Sequence, residues 1–310
     1  MSNKFRFSGV IPANLLPFNA DYTINEHDYR RHLSWLADVP GVTGIVCNGH
    51  AAEVSSLTRE ERRRALAIAL EEVGSRVNLI SGVYSDGTME AAELAKDAKA
   101  EGAHGLLIFP PTLFMWGAQY RPEMVYRHFA TIAESADLPM IVFQYPPSSG
   151  IGYSAETLIE LTKIPQIVAV KEWSNDMIAF ERNLRAIRST GKPVAILSSF
   201  TMSLFASFAL GADGTISGMG SVAADLQAQL FKAVKNGDLD EASKINDRLN
   251  PLVQVFYANP FVDMHNRMKE ALAMLGRISQ AVVRPPLQRI TDDERERIRE
   301  ALKKVGLPSA

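Results

Sequence analysis

Cysteine is nearly absent: Cys47 is the only one in 310 residues. A lone thiol rules out an internal disulfide framework and a cysteine-based zinc site, and it fits a reducing cytosol. An excess of either charge is also lacking. The 33 Lys and Arg against 35 Asp and Glu leave a net charge of −2, without the basic face that general nucleic-acid binding needs. No apolar run approaches the ~20 residues of a membrane span, so neither nucleic acid nor membrane is expected as a partner. Met1–Phe7 holds no apolar core of a secretory leader, and the expected location is cytoplasmic. Histidines and carboxylates with metal-ligand spacing are missing too. No metal and no cofactor is expected.

What is present is a rhythm. Short apolar, β-branched runs recur at Gly9–Pro12, Gly44–Cys47, Val77–Ser81, Gly105–Phe109, Met140–Phe143, Ile167–Val170, Val194–Leu197 and Gly214–Ser217. Each is followed by a longer amphipathic stretch, at the spacing of roughly 30 residues that a βα unit plus the next strand requires. Runs this short and apolar on both faces fit parallel strands covered by helices. Eight such units predict an α/β fold, a (β/α)8 TIM barrel over residues 1–236. A doubly wound sheet is the main competitor, but its glycine-rich phosphate fingerprint is missing after Gly9–Pro12. From Leu239 the pattern turns purely helical, over Leu239–Tyr257, Phe261–Leu275 and Asp292–Lys304, punctuated by Pro251, Pro260 and Pro285-Pro286. This predicts a C-terminal extension of three helices over 237–310, packed on the barrel.

Local signals support the helices. Thr58-Arg59-Glu60-Glu61 reads as a capping box. Asn25, Thr88 and Ser221 are expected N-caps. Gly74, Gly102 and Gly211 sit where helices should stop.

In such a barrel, function lies at the C-terminal ends of the strands. Lys171 is the informative residue there, because it follows Ile167-Val168-Ala169-Val170 without a break. Lys96, Lys99 and Lys232 lie on polar helix faces and read as solvated charges. A lysine at a barrel-strand tip is partly desolvated, which lowers its pKa and frees the amine to attack a carbonyl. The structural alternative is an ion pair with Glu172 or Asp176.

Three segments carry a resemblance to a known family. They are Gly41–Thr58, Ile167-Val168-Ala169-Val170-Lys171-Glu172, and Ala209-Leu210-Gly211-Ala212-Asp213-Gly214-Thr215-Ile216-Ser217. With Asn266, Lys269, Leu272 and Leu275 of the helical tail, they resemble the pyruvate-dependent class I aldolase superfamily of dihydrodipicolinate synthase and N-acetylneuraminate lyase, essentially end to end. The resemblance implies an imine between Lys171 and a 2-keto acid such as pyruvate, the protonated imine serving as electron sink for reactions at C3. It also implies that Pro12, Ala13, Ser198 to Phe200, Gly218 and the carbonyl of Ile216 lie near that imine, and that the chain forms a homo-oligomer, tetramer or dimer.

The chain departs from the family pattern in places that matter for chemistry. The usual second-strand turn, Gly-Thr-Thr-Gly-Glu, holds the keto-acid carboxylate with hydroxyls and amides. Here it reads Gly49-His50-Ala51-Ala52-Glu53. Backbone amides at Gly49 and Ala51 remain available, and His50 offers a further donor or a proton-transfer group near its ordinary pKa of ~6.5, the alternative being a purely local hydrogen bond. The family's fifth-strand tyrosine falls, without gaps, on Phe143, which cannot move a proton. Tyr145, two residues on, shares that face of the strand and either replaces the phenol or is its direct counterpart. The fourth-strand loop has apolar Leu113, Phe114, Met115 and Trp116 in place of a tyrosine pair, suiting an apolar substrate or a subunit contact. Ser148 and Ser149 stand where a basic residue usually meets the second carboxylate. Glu53 and Cys47 read as structural, as do His27, His32, His104, His128 and His265.

The expectation is a Schiff-base lyase acting on a 2-keto acid, by aldol cleavage or condensation with pyruvate and an aldehyde, or by dehydration of a 2-keto-3-deoxy acid. The lost relay argues against 4-hydroxy-tetrahydrodipicolinate synthase activity itself. The alternative is a 2-keto-acid-binding or regulatory protein on the same barrel. Catalytic candidates are Lys171, Tyr145 and His50. Substrate-binding candidates are Gly49, Ala51, Phe143, Ile216, Ser198 and Gly218.

Overall fold

A computed structural model describes residues 7–307. The strands are β1 (Gly9–Pro12), β2 (Gly44–Cys47), β3 (Asn78–Val83), β4 (Gly105–Ile108), β5 (Met140–Gln144), β6 (Ile167–Glu172), β7 (Ala195–Ser198) and β8 (Gly214–Ser217). They pair in parallel in the order β1-β8-β7-β6-β5-β4-β3-β2. The ring closes between β1 and β2 through parallel bridges Val10↔Val42 and Ala13↔Val46 and through Asn14 N–H donating to Val46 O at 3.0 Å. Residues on both faces of the strands are buried, because the inner face fills the barrel and the outer face lies under helices.

The coating helices are α1 (Glu26–Asp38), α2 (Arg59–Val73), α3 (Thr88–Glu101), α4 (Pro122–Ala136), α5 (Ala155–Leu161), α6 (Met177–Ser189), α7 (Leu204–Ala209) and α8 (Gly220–Lys235). The expected capping box forms at α2: Thr58 Oγ1 accepts from Glu61 N–H, and Glu61 Oε2 accepts from Thr58 N–H. Asn25 caps α1 through Asp28 N–H. Gly102 and Gly211 take left-handed φ values of +102° and +104°, which end α3 and α7 at no steric cost. Two expected caps are overturned by tertiary partners. Thr88 is the first helical residue after Gly87, and its hydroxyl bonds His128 Nδ1 at 2.9 Å. Ser221 lies inside α8, where its hydroxyl donates to Ala13 O and accepts from Leu15 N–H, tying the β1 exit to that helix.

Strand β6 runs two residues past its apolar run, because the ladder to β7 continues through Glu172↔Ser198. Three further helices follow the barrel: α9 (Leu239–Phe256), α10 (Met264–Met274) and α11 (Asp292–Lys304). Pro251 stays inside α9 rather than ending it, and Phe261–Asp263 forms a separate 3-10 turn before α10. Helix α9 packs on α8 and α11 on α9, while α10 reaches back over the strand ends. Among the described residues no helix is long and apolar enough to cross a membrane.

One buried ion pair fastens α10 to the barrel. Lys269 Nζ donates to Glu53 Oε1 and to Val282 O, and Glu53 Oε2 accepts from Arg284 N–H. Glu53 takes this position from a left-handed backbone (φ +56°) between two 3-10 turns, six residues before α2 begins. It is a structural contact, as its place in the sequence suggested. Lys269→Met leaves the Glu53 carboxylate buried without its ion-pair partner, so the variant should lose about 3–5 kcal/mol of stability. A shift of the urea midpoint at unchanged m-value is the check.

Candidate active site

Lys171 stands at the C-terminal tip of β6, only 7% exposed. Its register partners are Phe143 on β5 and Leu197 on β7, so the three side chains share the inner face. The ammonium Nζ lies 3.8 Å from the centre of the Phe143 ring. Burial lowers its pKa from 10.5 to about 7, because the charged form gives up water for an apolar surround.

Neither anticipated carboxylate partner reaches it. Glu172 faces outward by strand alternation and accepts from Ser174 N–H, Ser174 Oγ and Asn183 Nδ2. Asp176 caps α6 through Ala179 N–H. Lys171 has no ion-pair partner among the described residues.

Next to Lys171 lies a paired imidazole and phenol. His50 sits on the 3-10 turn His50–Ala52 after β2, and its Nε2 shares a hydrogen bond with the Tyr145 hydroxyl across the barrel mouth. Tyr145 follows Phe143 on the same face, its ring centroid 4.4 Å away. Gln144, pointing the other way, clamps the loop that follows: its amide donates to Tyr153 O and accepts from Tyr153 N–H, both at 2.9 Å. Phe109 and Tyr84 hold the His50 ring by edge contacts at 4.8 and 5.9 Å. Burial, aided by the charge on Lys171, takes His50 down to about 3. Burial raises the Tyr145 phenol well above its ordinary value. Near neutral pH the imidazole is therefore uncharged and the phenol protonated. This corrects the expectation that His50 titrates near ~6.5.

These groups open onto a cavity of about 390 Å³. Of the anticipated residues, Ala13, His50, Ala51, Phe143, Tyr145, Lys171, Ser199 and Gly218 line it. The backbone N–H groups of His50 and Ala51 have no hydrogen-bond partner among the described residues. Five anticipated residues fall outside the lining, among them Pro12 and Phe200. Ser198 is paired in register with outward-facing Glu172, is fully buried, and accepts from Phe200 N–H, leaving Ser199 on the cavity. Ile216 is fully buried in the barrel below. Gly49 starts the turn and uses its carbonyl for Ala52 and Val54 N–H.

The fourth-strand loop does not shape the cavity either. Phe114 turns inward against His128 at 5.7 Å, while Leu113, Met115 and Trp116 point to solvent, Trp116 at 83% exposure.

The lining also holds residues that strand-end reasoning did not reach: Tyr257, Val262, Met264, His265, Arg284 and Leu287. All come from the C-terminal extension, whose helical periodicity says nothing about which barrel end it covers. His265, read from sequence as structural, is the one with chemical capacity. Arg284 is spoken for: its guanidinium donates to both Glu61 oxygens and to the carbonyls of Tyr22 and Ser56.

Residues 6–305 match the dihydrodipicolinate synthetase family. A protein of Methanopyrus kandleri named 4-hydroxy-tetrahydrodipicolinate synthase is 33% identical over 307 residues, covering 98% of each chain. One of the same name from Gluconacetobacter diazotrophicus is 32% identical over 303 residues, 97% of this chain and 98% of its own. The crystal structure of a chloride-inhibited dihydrodipicolinate synthase from Acinetobacter baumannii complexed with pyruvate superposes with a TM-score of 0.85 at 27% identity, over 97% of this chain and 99% of that one.

Proposed function

Because the chain belongs to the dihydrodipicolinate synthetase family and is a lyase, we propose that it works through an imine between Lys171 and a 2-keto acid such as pyruvate. One observation carries this reading: a buried amine without an ion-pair partner, with a pKa near 7, at the floor of the cavity. The neutral amine attacks the C2 carbonyl, water leaves, and the protonated imine takes up the electron pair of a bond broken at C3. The free amides of His50 and Ala51 support binding of the keto-acid carboxylate. The Tyr145–His50 pair supports proton transfer where Phe143 has none to give. A pyruvate complex of a relative that matches 97% of this chain agrees with the keto acid chosen.

The activity in the relatives' names is not the one we assign. The hydroxyl pair of the family turn is replaced by His50 and Ala51, and no cation lining the cavity is free for a second carboxylate. The exposed Leu113, Met115 and Trp116 support assembly into a homo-oligomer, by the burial of apolar surface.

Borohydride reduction in the presence of pyruvate tests the reading. Intact-mass spectrometry should show one reduced pyruvyl group per chain, on Lys171, and none on Lys171→Ala. No gain with pyruvate or with any longer 2-keto acid would leave a binding protein on the same barrel.

A further inference from the structure

Two imidazoles line the cavity, and the imine reading uses only one. His265 comes from α10 and lies against the backbone just past β8. A Cβ at Gly218 would stand 2.9 Å from its Cδ2 and 3.0 Å from its Nε2, so glycine at 218 makes the room that this ring fills. Strand β5 is next to β6 on one side, and β8 is two strands away on the other. Tyr145, past the end of β5, and His265, against the backbone past β8, thus stand on opposite sides of Lys171 around the ring. Neither nitrogen of His265 has a hydrogen-bond partner among the described residues. Burial, with His50, Lys171 and Lys269 nearby, takes its pKa down to about 3. Near neutral pH the ring is therefore uncharged, with one nitrogen able to accept a proton.

Most of the rest of the wall is apolar, with hydroxyls at Ser55, Ser56, Ser199 and Tyr257. Trp173 stacks on Phe261 at 6.1 Å and 12°, and Tyr257, Val262, Met264 and Leu287 continue the surface. The volume of about 390 Å³ exceeds what a three-carbon keto acid fills and falls within the roughly 300–1,000 Å³ of sites for larger ligands. No lining cation is free: Lys171 is consumed in the imine, and Arg284 holds Glu61. A second carboxylate here would be buried without a partner, which is costly.

We propose that the site takes a 4-hydroxy-2-keto acid whose far end is uncharged, flat and apolar, and that His265 is the group that accepts the C4 hydroxyl proton. This rests on the imine at Lys171. In the cleavage direction the C4 O–H proton passes to the imidazole, the C3–C4 bond breaks, and C4 leaves as an aldehyde. The electron pair of that bond enters the C2–C3 bond and neutralises the iminium nitrogen, giving an enamine. The imidazolium returns its proton to C3, and water hydrolyses the imine to pyruvate and the free amine. Condensation is the reverse sequence.

The full chain is tested in the condensation direction after borohydride trapping with pyruvate has been scored. With the adduct present, kcat/KM for benzaldehyde should exceed that for succinic semialdehyde by at least about 100-fold, the scale on which a site with unpaired buried polar groups discriminates. His265→Asn should still trap pyruvate but lose ~10²–10⁴-fold in kcat at a similar KM for the aldehyde. Val262→Arg, at a position 67% exposed, places a cation in the wall and should shift the ratio toward succinic semialdehyde. Equal use of the two aldehydes with trapping intact, or an unchanged kcat in His265→Asn, overturns the proposal while sparing the imine. No adduct in the unaltered protein overturns both.

Discussion

Lys171→Ala is expected to abolish the borohydride-stable pyruvate adduct and to lower kcat by on the order of 10⁴–10⁶, the scale of losing the nucleophile in a covalent mechanism. The same burial that activates the amine sets its pH dependence. With a pKa of about 7 in the folded protein, the rate of adduct formation should rise tenfold per pH unit below 7 and level off above it. An ordinary lysine would still be climbing at pH 10. A second readout separates chemistry from folding. The unfolded amine titrates near 10.5. Below pH 7 both states are protonated and the fold bears the whole desolvation cost, at most about 5 kcal/mol. Between pH 7 and 10.5 the folded amine has lost its proton, so the cost shrinks, and above 10.5 it is gone. Lys171→Met should therefore be inactive but more stable than the parent at pH 6, with the gain fading towards pH 10. A variant that is equally stable at both would show that the amine is not desolvated.

Tyr145→Phe should lose ~10²–10⁴-fold in kcat, the usual contribution of a positioned proton-transfer group. The phenol touches His50 Nε2, so the two should act as one unit. His50→Ala would cost a similar factor, and the double variant no more than the worse single one, because groups in one relay are strongly non-additive. Additive losses would mean that they serve separate steps. The profile of kcat should show no limb near pH 6.5 that disappears in His50→Ala, since burial holds that imidazole at about 3. Retained activity in Tyr145→Phe would shift the proton transfer to His265 or to water.

The relation between chain and site follows from where each signal resides. The barrel was legible because its period is local: apolar runs, each followed by an amphipathic stretch, repeat often enough to define eight units. Lys171 was legible for the same reason, as a charged residue continuing an apolar run into a strand end. The loop Leu113–Trp116 stayed open between an apolar substrate and a subunit contact, because apolar composition alone does not say whether a side chain faces the cavity or the solvent. Ser198 was misplaced by one residue, since strand alternation turns on a register that only pairing with Glu172 sets.

By itself, then, the sequence determined the (β/α)8 architecture, the strand-end lysine and the absence of a tyrosine at position 143. Each of these depends on residues adjacent in the chain or repeating at a fixed spacing. The tertiary structure decided the rest. It paired Tyr145 with His50 across 95 residues, and tied Lys269 to Glu53 across 216. It also brought His265 over Gly218. Contacts at such separations depend on how helices of the extension settle on the barrel mouth, and packing of that kind leaves no periodic trace in the chain.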